Sequence, residues 1–222
     1  LTHIATQTAS STTSISFTSG IDNTYKEYLF ILNNIHNSEA DRNIFVNFSA
    51  DTGSNYNVTK TTTFFEAYHS EGGSTVSGPS YHTGKDLAQS TSAQQLMNGI
   101  KGDDDSCGVG LVHLFNPSST TFVKHFFAHT NIMQDNTHSQ FARVAGYCNT
   151  TSAIDAVQFS VNSGNTAVPA GGSGLEVTTS GTNPSIIYTP ANGGKWSLTE
   201  SSNIDFSGAN LLNFSVSSLT NL

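Results

Sequence analysis

A stretch of alternating apolar and polar residues from 106 to 162 constrains the fold of this chain more than any other feature of its sequence. Four short segments show the alternation, and clusters of Asn, Pro, Ser and Thr separate them. Alternate side chains of a strand point to opposite faces, so Val109 and Leu111 are expected on one face and Val112 and Leu114 on the other. The clusters reverse the chain because Pro presets φ and the Asn and Ser side chains bind the local backbone. This pattern predicts a four-stranded β-meander.

Alternating segments also precede this stretch. Residues 25–35, 43–49 and 58–69 are rich in aromatic and β-branched residues, and we expect them to form successive antiparallel strands. Ser14–Phe17 has the same alternation and is predicted to form an edge strand. Residues 70–91 are rich in Gly, Ser and Thr, which predicts a long surface loop with room for one short strand. Loops longer than ~12–15 residues are commonly functional, so this segment is a candidate contact surface.

Few residues of the chain are charged. The charged fraction is 11%, against about a quarter in an average soluble protein, and Ser, Thr, Asn and Gly take the place of the charges. Such a surface is typical of secreted, extracellular and virion proteins. The formal net charge of −8 removes the attraction to phosphate on which nonspecific nucleic-acid binding depends. No segment approaches the ~20 consecutive apolar residues of a membrane-spanning helix, so we expect neither nucleic-acid binding nor membrane insertion.

The two cysteines, Cys107 and Cys148, lie at the start of one predicted strand and at the end of another. A disulfide between them requires Cα atoms within about 7 Å, and an extracellular or virion setting would permit it. Alternatively, both are buried free thiols that pack as small apolar side chains. The sequence leaves both alternatives open.

Two groups of residues carry potential metal ligands. The three aspartates at 103–105 supply the oxygen ligands that Ca²⁺ prefers, but their spacing differs from that of an EF-hand loop. An acidic turn between strands is the preferred interpretation. His125 and His129 share one face of a predicted strand, and His113 is expected on the partner strand. Strand positions i and i+4 lie roughly 13 Å apart, so His125 and His129 are too distant to share one metal ion, and no metal site is predicted.

No arrangement of side chains in the sequence indicates catalysis. The G-x-S-x-G turn of a nucleophilic serine is absent. Glu66 and Glu71 could suggest the acid pair of a glycosidase, but their separation in the fold decides this and the sequence does not give it. We therefore predict a non-enzymatic protein with no catalytic residue, no cofactor and no bound metal. Several aromatic residues near the predicted loop are candidates for stacking on sugar rings or filling a partner's pocket, although a place in the core is the commoner role; they are Tyr56, Phe64, Phe65, Tyr68 and Tyr81.

The character of the sequence changes after residue 165. We divide the chain into a β-sandwich domain over residues 1–165 and a C-terminal extension or small β appendage over residues 166–222, in which Gly and Pro recur frequently. Such a segment gains about 25 cal/mol per Å² of buried apolar surface, against about 1–2 kcal/mol of backbone entropy lost per residue. It is therefore expected to order against a neighbouring subunit or, alternatively, to complete the sandwich of its own chain. The predicted partner-binding residues are Trp196, Leu211, Leu212, Phe214, Val216 and Leu219.

Five segments within residues 8–165 are distinctive as a set; they are SSTTSISFTSGIDNTYKEYLFILNNIH, SNYNVTKTTTFFEAYH, YHTGKDLAQST, LVHLFNPSSTTFVKHFFAH and AGYCNTTSAIDAVQFSVNSGN. Together they resemble virion proteins encoded by tailed phages of marine bacteria, which are described as tail-fibre or structural proteins. The resemblance implies a β-sandwich domain displayed on a virus particle, without catalytic residues to carry over. Members of that group usually end soon after the SGN segment with one final strand, whereas this chain continues to Leu222.

The sequence thus predicts an all-β fold, a jelly-roll-like antiparallel β-sandwich with a Gly- and Pro-punctuated C-terminal extension. The expected function is that of a non-enzymatic virion structural protein of the tail-fibre or receptor-binding type, located on the extracellular phage particle. A capsid decoration or head-fibre protein is the first alternative, and a secreted carbohydrate-binding protein or glycoside hydrolase is the second. The expected partners are further copies of the chain, in a homo-oligomer with a trimer favoured, other virion proteins and a host-surface glycan.

Overall fold

The computed structural model describes residues 1–39, 41–102, 105–134 and 137–162, together with the backbone of three short strands beyond them. All regular secondary structure in these residues is β, which confirms the predicted all-β class. Among the same residues no helix is long and apolar enough to cross a membrane.

Eleven strands lie within the described residues up to 162. They are β1 (Ala5–Thr8), β2 (Ser14–Phe17), β3 (Glu27–Ile35), β4 (Arg42–Ser49), β5 (Lys60–Ser70), β6 (Val76–Tyr81), β7 (Gln94–Ile100), β8 (Gly108–Phe115), β9 (Lys124–Gln134), β10 (His138–Cys148) and β11 (Ala156–Val161). The turn after β8 illustrates how the sequence sets their ends. Asn116 has φ 46°, in the left-handed region that Asn tolerates better than most residues, and its carbonyl accepts a hydrogen bond from Ser119 N at 3.1 Å.

Strand β9 is the centre of the hydrogen-bonding pattern. It pairs antiparallel with β8 on one side and with β10 on the other. From β8 the sheet continues to β3, and from β10 it continues to β5 and then β6. A second group of strands, in the order β7–β4–β11–β2, joins β9 through the pairing of Ile100 with Gln134. Among the described residues, this one pairing therefore joins the two groups of strands by backbone hydrogen bonding.

Aromatic rings from the two groups of strands meet in the core. The ring centroid of Phe30 in β3 lies 5.6 Å from that of Phe159 in β11 and 5.5 Å from that of Phe17 in β2. The rings of Phe48 in β4 and Phe126 in β9 are 4.9 Å apart. All five side chains are buried, and full burial of such a side chain stabilises a fold by about 1.5–3 kcal/mol. The two groups therefore pack face to face as an antiparallel β-sandwich.

The predicted strands occur, but the predicted order of their pairing is partly wrong. The first three segments of the 106–162 stretch form the meander β8–β9–β10, whereas the fourth, β11, pairs with β4 and β2. Strands β3, β4 and β5 are not successive partners either, because β3 pairs with β8, β4 with β7 and β11, and β5 with β10 and β6. Alternation determines which face of a strand is buried, whereas the neighbour of a strand depends on contacts between residues distant in the chain. The edge position of β2 is confirmed, since it pairs with β11 alone among the described strands.

The segment predicted as a surface loop is bound along the edge of β5. Strand β6 pairs with the second half of β5, and it is the short strand that the prediction allowed within this segment. Beyond β6, Thr62 N donates to Leu87 O at 2.9 Å, and Lys60 and Ser90 exchange two backbone hydrogen bonds of 2.8 and 3.0 Å. The segment therefore covers an edge that would otherwise expose unpaired backbone groups.

The predicted extension contributes to both compact units of the chain, Leu1–Gly181 and Thr182–Leu222. In the first unit, β12 (Glu176–Thr179) pairs with β1 and β3. This pairing adds a strand to the chain's own sheet. It corresponds to the alternative in which the extension completes the sandwich of its own chain. In the second unit, β13 (Ile187–Thr189) pairs antiparallel with β14 (Lys195–Ser197).

The predicted partner-binding residues fall almost entirely beyond the described part of the chain. Trp196 belongs to the backbone of β14. The other five lie outside the described residues; they are Leu211, Leu212, Phe214, Val216 and Leu219. Their contact with a partner stays a prediction, as does the jelly-roll connectivity.

Candidate binding groove on the outer face of the sheet

The outer face of the central strands carries aromatic and apolar side chains. Along β9, Phe126 and Ala128 are buried, whereas His125, Phe127 and His129 alternate with them and lie on the opposite face. Strands β8, β10 and β5 alternate in the same way. The exposed large apolar side chains on this face and at its β6 edge are Phe65, Val76, Tyr81, Val109, Leu111 and Phe141. A contiguous apolar surface on a soluble domain commonly marks an interaction site.

A row of rings crosses this face from β8 to β10. His113 stacks on Phe127 with 4.6 Å between the ring centroids, and Phe115 lies 5.2 Å from the same ring. Phe127 lies 5.6 Å from His129, and His129 lies 6.1 Å from Phe141. Favourable aromatic pairs have centroids about 4.5–7 Å apart. The rings therefore form one continuous surface.

A groove with a volume of about 590 Å³ opens beside this row, over strands β9, β10 and β5. We call it the aromatic groove; its lining includes Phe65, Pro79, Phe127, His129, Phe141 and Arg143. Sites for small ligands commonly have volumes of about 300–1,000 Å³. Phe65 and Phe141 are each 42% exposed, so their rings are available to a ligand.

Arg143 supplies the fixed positive charge of the aromatic groove. The strand register places it opposite His129 of β9 and opposite Phe65 of β5. Arg143 is exposed, and no carboxylate of the described residues forms an ion pair with its guanidinium. Burial, together with the positive charges of Arg143 and His113, lowers the pKa of His129. The lowered pKa favours the neutral form of this imidazole, and the groove combines it with one cationic group, Arg143, and with the paired carboxylate of Glu66.

Glu66 also lines the groove, although it shares the inner face of β5 with buried Phe64 and is itself buried. Its Oε1 lies 2.9 Å from His82 Nε2, and its Oε2 accepts hydrogen bonds from Lys85 Nζ at 2.7 Å and from Gln140 Nε2 at 3.2 Å. The Lys85 ammonium also lies 5.2 Å from the centroid of the Phe64 ring. This cluster ties the segment after β6 to β5 and β10, the strands that form the floor of the groove.

Replacing Glu66 by glutamine is expected to lower the free energy of unfolding by about 1–3 kcal/mol, because the partly buried Lys85 ammonium loses its counter-charge while the side-chain shape is kept. Urea unfolding at pH 7 measures this change. Glu71→Gln is the matched control, since Glu71 is exposed in the turn after β5, and its effect is expected to stay within about 0.5 kcal/mol. Equal effects of the two substitutions would contradict the assigned role of the cluster.

A second buried polar group lies at the opposite end of the same strands. Lys60 of β5, Cys148 of β10 and Lys124 of β9 occupy paired positions on neighbouring strands, and all three are buried. Lys60 Nζ donates to Ser92 O at 2.7 Å, and Lys124 Nζ donates to Thr150 O at 3.1 Å. Burial lowers the pKa of Lys60 to about 8 and also lowers the pKa of Lys124. Burial raises the pKa of the Cys148 thiol to about 12, so this thiol is protonated at pH 7.

The two cysteines are free thiols, so no disulfide joins them. The alternative of two buried thiols is confirmed for Cys148 and wrong for Cys107, which is exposed. In the described part of the chain, no group of three or more His, Cys, Asp or Glu side chains is placed to hold a metal ion. His113 instead pairs through Nδ1 with Glu27 Oε1 at 2.5 Å. Of the three consecutive aspartates, Asp105 is exposed and the two at 103–104 lie outside the described residues.

The sequence identified part of the aromatic surface. Phe65 and Tyr81 were candidates, and both are exposed with their ring centroids 5.0 Å apart. Phe64 instead lies in the core, which is the commoner role for such a residue. Phe141 and Arg143 were missed. The available signal was their alternation with the buried residues of β10, which places them on the same outward face.

No protein-family model matches the chain, and neither a curated protein nor a solved structure matches it. The function of the chain is therefore inferred from its sequence and from the geometry and chemistry of the aromatic groove.

Proposed function

We propose that the chain is a non-enzymatic structural component of a phage virion, of the tail-fibre or receptor-binding type. The observation that carries this proposal is the exposed aromatic face on an all-β domain with few charges, because such a surface is suited to recognition of a partner. The resemblance of residues 8–165 to virion proteins of tailed phages supports the same assignment. Glu66, the buried carboxylate that lines the groove, is paired with His82 and Lys85, and we assign it a structural role.

Immunogold electron microscopy of intact particles tests this proposal. An antiserum raised against the full chain is expected to label the tail fibres of the phage that encodes it, and antiserum pre-adsorbed with the purified chain is the control. Label confined to the head would overturn the tail assignment in favour of a capsid decoration or head-fibre protein. Unlabelled particles, with the chain present in the culture medium, would contradict the virion assignment and favour a secreted carbohydrate-binding protein or glycoside hydrolase.

We further propose that the chain acts as a homo-oligomer, with a trimer favoured. Val109 and Leu111 lie exposed on the outer face of β8, and symmetric association of copies would bury such apolar positions. Light scattering at micromolar concentration is expected to give a mass near three times the 23.5 kDa of the chain. Leu111→Glu is expected to shift the mass towards the monomer, whereas Lys26→Glu, at another exposed position, leaves it unchanged. A stable monomer of the unmodified chain would contradict the proposal.

A further inference from the structure

We infer that the aromatic groove binds an anionic sugar ring, a uronate or a sulfated hexose within a glycan chain. In this arrangement Arg143 holds the acidic group, and the rings of Phe65 and Phe141 pack against the sugar. The inference rests on the proposed recognition function and names the class of its ligand.

The shape of the groove suits a ring that is part of a longer chain. Phe65 and Phe141 stand on neighbouring strands on the solvent-facing side of the sheet, and each is 42% exposed. A glycan can therefore pass across the groove, whereas an enclosed cavity admits only a small free molecule. The C–H faces of a sugar ring are apolar, and flat aromatic surfaces offer them contact at little cost in conformational entropy.

The charge of the groove selects an acidic ring over a neutral one. Arg143 presents a planar set of N–H donors, which matches carboxylate and sulfate oxygens in a bidentate geometry. No carboxylate of the described residues forms an ion pair with Arg143. Glu66 also lines the groove, but its carboxylate is paired with His82 and Lys85, so the guanidinium is available to an anion. The chain as a whole carries a net charge of −8, which opposes diffuse binding of polyanions. An anionic glycan is therefore expected to bind at this position specifically.

Neighbouring polar groups suit the hydroxyls of a sugar. Thr63 lines the groove, and its Oγ1 donates a long hydrogen bond of 3.3 Å to Ala145 O. His129 also lines the groove, and its imidazole in the neutral form offers one donor and one acceptor. A glycan hydroxyl can both donate and accept hydrogen bonds and so can pair with Thr63 and His129. A purely apolar ligand would leave these two side chains without hydrogen-bond partners.

Isothermal titration calorimetry with the full chain tests the ligand class. Three hexasaccharides serve as probes: an oligogalacturonate, a sulfated galactan fragment and a neutral galactan fragment. At least one of the two acidic probes is expected to bind at least tenfold more tightly than the neutral probe, and the acidic probe that binds more tightly identifies the acidic group. Equal binding of acidic and neutral probes, or no binding of either acidic probe, would overturn the inference.

Matched variants test the position of the site. Arg143→Gln and Phe141→Ala are each expected to weaken the preferred acidic probe at least tenfold, and Arg143→Lys is expected to weaken it less than Arg143→Gln. The controls are Lys26→Gln and Phe122→Ala, because Lys26 is exposed and Phe122 is 68% exposed and neither lines the groove. Both controls are expected to bind like the unmodified chain. Circular dichroism confirms that each variant is folded, and unchanged affinity in folded Arg143→Gln or Phe141→Ala would contradict the site.

Failure of this inference can be told apart from failure of the proposed function. If particles are labelled on their fibres but no acidic oligosaccharide binds, the virion assignment stands and the glycan inference fails. If an acidic oligosaccharide binds through Arg143 while particles stay unlabelled, the ligand class stands and the virion assignment fails.

Discussion

Replacing Phe159 by alanine is expected to lower the free energy of unfolding by about 3–5 kcal/mol. Phe159 is fully buried in β11, and its ring lies 5.6 Å from that of Phe30 in β3 and 6.5 Å from that of Phe17 in β2. Removal of the ring leaves a cavity between the two groups of strands, which the surrounding sheets fill only in part. Typical domains have a total stability of about 5–15 kcal/mol, so the loss is a large fraction of the whole.

Equilibrium unfolding in urea measures this loss, with two further variants for comparison. Phe159→Leu removes less volume and is expected to cost about 1–2 kcal/mol, which keeps the test valid if the alanine variant does not fold. Phe122→Ala removes the same group from a position that is 68% exposed and is expected to change stability by less than about 0.5 kcal/mol. Comparable losses at positions 122 and 159 would contradict the face-to-face packing of the sandwich.

Replacing Lys60 by methionine is expected to stabilise the chain by about 1–3 kcal/mol at pH 7. Burial lowers the pKa of Lys60 from 10.5 to about 8, and one unit of such a shift corresponds to about 1.4 kcal/mol. The protonated Lys60 amine, which is the form present below pH 8, is therefore less stable in the folded chain than in the unfolded chain. Methionine fills a similar volume without that charge, although it leaves the Ser92 carbonyl without the hydrogen bond from Nζ, which reduces the gain.

The pH dependence of the stability difference between the wild-type and Lys60→Met chains tests whether the buried charge causes it. Below pH 8 both the folded and the unfolded wild-type chains keep the Lys60 proton, and the full penalty of burying the charge is present. Between pH 8 and 10.5 the unfolded chain binds more protons than the folded chain, so the stability of the wild-type chain rises relative to the methionine variant. The advantage of the variant is expected to vanish by about pH 10.5.

Lys60 and Cys148 are coupled, because the charge of Lys60 lowers the pKa of the Cys148 thiol. The rise in the relative stability of the wild-type chain is therefore measured between pH 8 and pH 9, before the thiol of the unfolded chain titrates. The raised pKa of Cys148, about 12 against 9.0 for an ordinary thiol, makes stability fall above pH 9 in both chains, because only the unfolded state loses that proton. Lys26→Met is the control for loss of a lysine charge, since Lys26 is exposed, and it is expected to change stability at pH 7 by less than about 0.5 kcal/mol. A Lys60→Met stability difference that does not change with pH would contradict the buried-amine account.

The burial of each strand could be predicted from the sequence, and the order of the strands could not. Phe17, Phe30 and Phe48 each lie in a segment whose alternation places them on the buried face, and all three are in the core. The pairing of β11 with β4 joins residues more than a hundred positions apart, such as Val157 with Phe48. Alternation gives no information on such contacts, because every strand with one apolar face presents the same pattern to any partner.

The candidate site was predictable only in its aromatic part. Alternation in β10 places Arg143 on the outward face, but an exposed arginine is ordinary there, and only the register of the strands places it between His129 and Phe65. The buried lysines were missed for a related reason. Lys60 and Lys124 alternate in phase with buried Phe64 and Phe126. Lysine is rarely buried, so alternation alone does not predict the burial of these two side chains.

Competition for phage adsorption tests most directly whether the aromatic groove is the recognition surface of a virion protein. Purified full chain, added in excess to host cells, is expected to block adsorption of the phage that encodes it. The double variant Phe141→Ala with Arg143→Gln is expected to leave adsorption unchanged, whereas Phe122→Ala blocks it as well as the unmodified chain. Adsorption that the unmodified chain does not reduce, or that the double variant reduces equally, would contradict the account.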